Sequence, residues 1–430
     1  MTVFDVYILH LNYTNTRANM NGITAVNKNR LHCLDWLRVI AISVLLMYHI
    51  GMVYVPDWGY HYKNPLTSDW IKSLMLLTSP WRMGVLWLVS GIALAYMSIS
   101  YNIIRLIVRR TNQILLPLLV GVLFIVPVQL FAQMKQAGDM PLNFIGFVHA
   151  FFIQPKQYFV NYSSGIWPRF DVNHLWFLRS LWGFSIILIL LSPILNSNRA
   201  KIVGNFLSSR LRCLLPLFVI PIAMIELLME GESVREYYGF ILLLLGFYLG
   251  LHQAFWQTLT NHLKLLCILS LVAMTALQIG FIGIWQTGLN ETSTLLNALI
   301  QCIYVSNKIL PLLAILALSY QFLNKPNKII KQLNPYVFPL YILHQSVIII
   351  VAYMASNSSF ILLKGAEYQL WFSLAITPLI CGLLVMLIAS VNAFRICFGM
   401  RLKNNRDPYH SWQVSLLVLI ICIPMIYRLI

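Results

Sequence analysis

Residues 34–55 read LDWLRVIAISVLLMYHIGMVYV, and within them only Asp35, Arg38 and His49 interrupt an apolar run. An α-helix rises about 1.5 Å per residue and needs roughly 20 apolar residues to cross the hydrocarbon core. The stretch therefore predicts a membrane span. Ten comparable stretches follow, so the expected spans are residues 35–55, 81–97, 114–134, 174–195, 213–229, 237–256, 263–285, 299–322, 335–355, 370–391 and 414–430. Pro216 and Pro221 make the fifth irregular, and the last is short.

Composition agrees with that reading. Of the 430 residues, 59% are hydrophobic and 10% charged, against roughly 45–50% and roughly 25% in soluble domains. A membrane β-barrel alternates polar and apolar positions over short strands, whereas these runs are continuous and rich in Leu and Ile. The expected fold class is thus an all-α polytopic membrane protein. Residues 1–33 read as a cytoplasmic N-terminal segment without a removable signal peptide, because no apolar run with a small-residue cleavage site is present. Residues 34–412 form the membrane domain, and residues 413–430 an additional transmembrane helix. The seven cysteines lack CxxC or metal-ligand spacing, so neither a disulfide framework nor a metal site is expected. No internal repeat is visible.

Alternating the spans from a cytoplasmic N-terminus, with Arg82 and Lys264 at the very ends of spans counted with the adjoining segments, puts 18 Lys and Arg on the cytoplasmic side and 8 on the other, with nine of the thirteen acids outside. That asymmetry follows the positive-inside rule and predicts a multi-pass protein of a bacterial inner membrane. The net charge of +17 then reports topology rather than nucleic-acid binding. Two outer segments, residues 56–80 and 135–173, are long and rich in aromatics, including Trp58, Tyr60, His61, Tyr62, Tyr158, Tyr162 and Trp167. They fit an interfacial belt or a sugar-stacking surface. The stretch LNFIGFVHAFFI (142–153) is too short to span and fits an interfacial helix.

Ionisable side chains in spans are costly, at least about 2.5 kcal/mol each for Arg or Lys near the centre, and mark functional positions. Arg38 and His49 are eleven positions apart, about three turns, which puts them on one helix face roughly 16 Å apart. A common inward groove is expected. Asp35 reads either as a helix cap or as a site acid, and Arg38 as snorkelling or functional. Arg105, Arg109 and Arg110 precede the third span; they fit topology anchors or a phosphate site for CoA or a lipid headgroup. His174 and Arg179 open the fourth span, and His344 and Gln345 lie in the ninth. Three histidines with arginines and no carboxylate pair suit proton removal from a hydroxyl, because imidazole titrates near neutral pH.

In order along the chain stand LDWLR with Arg38 and His49, WLVSG, the Arg-rich lead into ILLP, HLWFL and LYILHQ. This ordered set resembles the acyltransferase-3 superfamily of membrane acyltransferases. Arg82-Met83 before WLVSG and the HLWFL context resemble its periplasmic glucan succinyltransferase branch, glucan biosynthesis protein C. The resemblance implies a ten-helix core that takes an acyl group, acetyl or succinyl, from cytoplasmic acyl-CoA and places it on an extracytoplasmic polysaccharide or glucan. No permanently bound cofactor is implied. It also implies Arg38 and His49 as the functional pair, with Asp35 matching the acid of its LDxLR motif. On that footing the expected roles are His344 assisting His49, Asp35, Arg105, Arg109 and Arg110 toward the donor, and Arg82, His174 and Arg179 toward the acceptor or oxyanion. A transporter or flippase for an anionic solute is the rival reading, disfavoured by the absence of a repeat or paired broken helices. A scaffold without chemistry leaves the Arg38 and His49 pair unexplained.

Overall fold

The computed structural model describes residues 30–153, 158–162, 170–358 and 364–427. Within these, eleven longer helices run α1 (Cys33–Tyr54), α2 (Arg82–Ser100), α3 (Ile103–Ala137), α4 (Trp176–Leu195), α5 (Leu211–Leu228) and α6 (Glu232–Leu249). They continue as α7 (Leu263–Trp285), α8 (Thr294–Leu323), α9 (Val337–Ser356), α10 (Ala366–Ser390) and α11 (Trp412–Tyr427). No strand occurs among the described residues. The protein is an all-α polytopic membrane protein.

Nine of these helices, α1 to α5 and α7 to α10, are long and apolar enough to cross a membrane. A tenth span results if α6 is joined to the short helix Gln253–Asn261, which turns from it by 106°. The eleven-span reading differs from this at the expected sixth span, where the chain breaks near Gly250. The last expected span corresponds to α11, which is described to Tyr427. The 10-residue helix Phe144–Ile153 is too short to span. Most of the N-terminal segment, Trp167 and the last three residues lie outside the described residues.

Two close helix contacts hold the frame. A Cβ on Gly91 of α2 would lie 2.0 Å from the carbonyl oxygen of Leu243, and one on Gly246 of α6 would lie 2.2 Å from that of Leu88. Small residues let these backbones approach to a distance no larger side chain permits. Buried Trp87 fills the space beside them, its ring 4.4 Å from that of Phe177 on α4. Helix α1 packs against α9 and α2, and it is this crossing that brings the polar residues of α1 and α9 together. Leu379, Leu383 and Met386 of α10 face outward, an apolar surface suited to lipid.

Helix α3 is not regular. A π-helical turn, Gly121–Ile125, precedes Pro127, which has no N–H to continue an α ladder. The carbonyl of Ile125 in this irregular turn accepts from Ser346 Oγ at 2.8 Å. Gln129, one turn on, is thereby placed in the interior with no exposed surface.

Candidate active site

His49 of α1 lies half-buried on a cavity of about 260 Å³, together with Tyr48, Tyr60, Arg82, His174, Tyr341 and Gln345. His344 Nδ1 is 2.6 Å from the carbonyl oxygen of Tyr341. A carbonyl only accepts, so this nitrogen carries the proton and Nε2 of the neutral ring is a lone pair. His49 Nδ1 lies 2.9 Å from that Nε2 and must be the donor. With both rings neutral, Nε2 of His49 is left as an unprotonated nitrogen. The chain from carbonyl to His344 to His49 fixes the tautomer of the last member, as the orienting partner of a catalytic histidine does.

His174 is close to this pair but differently employed. Its ring lies 5.2 Å from that of His344, edge to face. Nε2 donates to the Ile342 carbonyl at 3.0 Å, and Nδ1 accepts from Gln129 Nε2 at 3.1 Å. Gln129 Nε2 also donates to Ser346 Oγ at 2.9 Å, while its Oε1 accepts from Gln345 at 3.1 Å and Asn173 at 3.3 Å. Both His174 nitrogens are occupied, so the ring braces the floor of the cavity rather than offering a free base.

Arg82 enters the same cavity from the first residue of α2. Its guanidinium sits 3.3 Å over the Tyr48 ring and donates to the Ser79 carbonyl at 2.8 Å. It has no carboxylate partner among the described residues. Arg235 also lines this cavity and pairs with Glu232 at 3.0 Å. Arg179 lines neither this cavity nor the next; it is buried against Glu236 at 3.0 Å and ties α4 to α6.

A second cavity, of about 280 Å³, opens at the other end of α1 and is lined by five arginines: Arg38, Arg109, Arg110, Arg395 and Arg401. No carboxylate lines it among the described residues. Arg110 is buried and donates to Ser185 Oγ at 2.9 Å. Arg109 donates to Asp407 Oδ2 at 2.7 Å and to Gln113 Oε1 at 3.3 Å. The loop carrying Asp407 is sewn down by Asn112, whose amide donates to the carbonyls of Tyr409 and Ser411 at 3.2 and 2.8 Å. Burial is the largest single influence on the Asp407 carboxyl and raises its pKa, but the Arg109 charge and hydrogen bond, with the Tyr409 N–H, outweigh it and hold the group below the usual carboxylate range.

The predicted site residues therefore fall into separate groups. His49, His174 and Arg82 line one cavity, with His344 hydrogen-bonded behind His49, and Arg38, Arg109 and Arg110 line another. Arg105 is exposed and outside both, its guanidinium 5.7 Å from the Tyr101 ring. Asp35 lies in the first turn of α1, bonded to Arg30 at 2.6 Å and Asn334 at 2.7 Å, while the N-cap position is His32. Instead of one groove, Arg38 and His49 look into two cavities. Sequence reasoning passed over Tyr341, Gln129, Arg395, Arg401 and Asp407. Gln129 had a signal, a lone amide in the apolar run VPVQLF; the arginines were absorbed into the topology count.

The family model described as an acyltransferase domain, acyltransferase-3, matches residues 31–395. The chain belongs to the acyltransferase-3 family. It is a membrane acyltransferase; the histidine cavity lies within the matched region, and the arginine cavity is lined also by residues just beyond it, among them Arg401 and Tyr409. No curated protein and no solved structure matches the chain. Within this acyltransferase no group of three or more His, Cys, Asp or Glu residues able to hold a metal occurs among the described residues.

Proposed function

We propose that the protein is an O-acyltransferase of a bacterial inner membrane that takes an acyl group from cytoplasmic acyl-CoA and places it on a hydroxyl of an extracytoplasmic glycan. The observation that carries this reading is the hydrogen-bonded chain from the Tyr341 carbonyl through His344 to His49, which leaves His49 Nε2 as an acceptor in a cavity distinct from the arginine-lined one. The arginine cavity lies on the cytoplasmic side, where the charge asymmetry of the chain directs it, and its guanidinium groups bind the donor phosphates. A reporter fused after Asn405 should then read cytoplasmic; a periplasmic signal overturns this orientation.

In the reaction, the acceptor hydroxyl attacks the thioester carbonyl while His49 Nε2 removes its proton. The tetrahedral intermediate collapses by breaking the C–S bond, and the departing thiolate takes up the proton as free CoA. His49 attacking first, as an acyl carrier, is the two-step form of the same transfer. Arg82, without a carboxylate partner, supports an anionic acyl group, and this favours succinyl over acetyl and the glucan succinyltransferase branch over a general O-acetyltransferase. Mass spectrometry of periplasmic and surface glycans from cells with and without the protein tests the assignment. A succinyl difference lost in Arg82→Gln supports it. An acetyl difference unaffected by Arg82→Gln removes the succinyl assignment, and no acyl difference removes the reaction itself.

A further inference from the structure

The two cavities meet at one side chain. Tyr341 borders both, and no other described residue does. Its ring is buried and packs edge to face against Phe177, with centroids 5.8 Å apart. Its hydroxyl donates to the carbonyl of His174. Its own carbonyl accepts from His344 Nδ1 at 2.6 Å.

Backbone and side chain of this residue thus do different things. The carbonyl sets the polarity of the His344 and His49 pair, and the ring with its hydroxyl closes the space between the arginines and those histidines. Rotation about the side-chain torsions moves the ring and leaves the carbonyl in place. A donor whose phosphates are held near Arg38 must deliver its thioester to His49, roughly 16 Å along α1, and the passage runs by Tyr341.

We propose that the Tyr341 side chain is a displaceable partition, pushed aside by the thioester arm of the donor, while its backbone carbonyl keeps His49 aligned throughout. This inference rests on the two-sided acyl transfer argued above. When no donor is bound, the hydroxyl latched to His174 keeps outer water and protons from the arginine cavity. When a donor arm occupies the passage, the arm itself fills it. Without the ring packed against it the arm fills the passage only loosely, and water then takes the place of the acceptor: the thioester C–S bond breaks, the acyl carbon gains hydroxyl, and the carboxylic acid and free CoA thiol result.

The test uses the full chain in oriented membrane vesicles, with Tyr341→Phe and Tyr341→Ala, and with acetyl-CoA and succinyl-CoA as separate probes. Met52 lines the histidine cavity, so Met52→Cys reports access. A charged, membrane-impermeant methanethiosulfonate is added only on the side of the arginine cavity, and modification at position 52 is read by peptide mass spectrometry, which separates it from the native cysteines. Position 52 should be protected with Tyr341 or with Tyr341→Phe and modified with Tyr341→Ala. Equal modification in all three overturns the partition whatever the activity. Free CoA released without acceptor should rise at least about tenfold in Tyr341→Ala, because water reaches a site built to exclude it. Tyr341→Phe, lacking only the latch, should raise it roughly two- to tenfold. Unchanged release from folded Tyr341→Ala also overturns the partition. A wild-type protein that releases no CoA even with its glycan acceptor removes the acyl-transfer reading, while the labelling still decides the partition.

Discussion

Arg109 Nε lies 2.7 Å from Asp407 Oδ2, with both side chains largely out of solvent. One of the three guanidinium groups expected to hold donor phosphates is therefore already engaged by a carboxylate. Removing one member of such a buried pair strands the other at a cost of roughly 3–5 kcal/mol. Arg109→Gln should accordingly lower the thermal midpoint in detergent sharply, and Asp407→Asn should do the same. Arg110→Gln should instead raise the KM for acyl-CoA more than it lowers kcat, because a phosphate anchor serves ground and transition states alike. A donor KM unchanged in well-folded Arg110→Gln would return Arg110 to a packing role.

His49→Ala and His49→Gln should each reduce transfer by about 10²–10⁴-fold, the typical worth of a positioned base, with the protein still folded. The amide of Gln can hold a hydrogen bond to His344 yet cannot take a proton near neutral pH. His344→Gln should be milder, because an amide oxygen in the place of Nε2 still accepts from His49 Nδ1. Measured kcat values decide this, and equal, complete losses in both His344→Gln and His49→Gln would make His344 more than an orienting residue.

Acid should weaken the loop that follows α1. His61 donates from Nδ1 to Gln133 Oε1 at 3.1 Å, and burial pushes its imidazole below the ordinary value despite the raising effects of Gln133 and Asp171. The unfolded chain then binds the proton more readily than the folded one, so stability is full above about pH 6.5 and falls as the pH drops through that value and toward the folded-state pKa. Thermal midpoints between pH 7.5 and 5 should decline, and His61→Gln should flatten the decline. An unchanged slope in that variant would assign the acid sensitivity elsewhere.

The α2 and α6 contact has no room for a methyl group. Gly91→Ala should cost about 1–3 kcal/mol or more by forcing the backbones apart, while Gly382→Ala, which meets nothing within 4 Å, should be neutral. Comparing the yield of folded protein and the thermal midpoint of the two variants checks this, and equal effects would mean the seam is not what limits stability.

Hydropathy carried most of the fold, because lipid forces each crossing segment to declare itself by length and apolarity. It misled where length alone does not settle the path: residues 237–256 look continuous, yet the chain turns near Gly250. His49 and Arg38 were legible because charge in a span needs a reason. Their separation into two cavities was not, since helical periodicity places residues on a face but says nothing of what stands between them. Tyr341 is one tyrosine among 21 in the sequence, and its position at the meeting of α9 with both cavities exists only in three dimensions. Asp407 was hidden for the same reason, 298 residues from the arginine it neutralises.

The glycine seam has a mechanical meaning. Where Gly91 meets the Leu243 carbonyl and Gly246 meets that of Leu88, each backbone is keyed into the other, and neither helix can roll or slide without driving an α-carbon into an oxygen. The α2 and α6 pair is the stator of the molecule. Arg82 and Arg235, mounted on its two halves, should therefore keep their spacing, and any change in the shape of the histidine cavity should come from the α1 and α9 side, by side-chain swings and small shifts of those helices rather than by hinging of the frame.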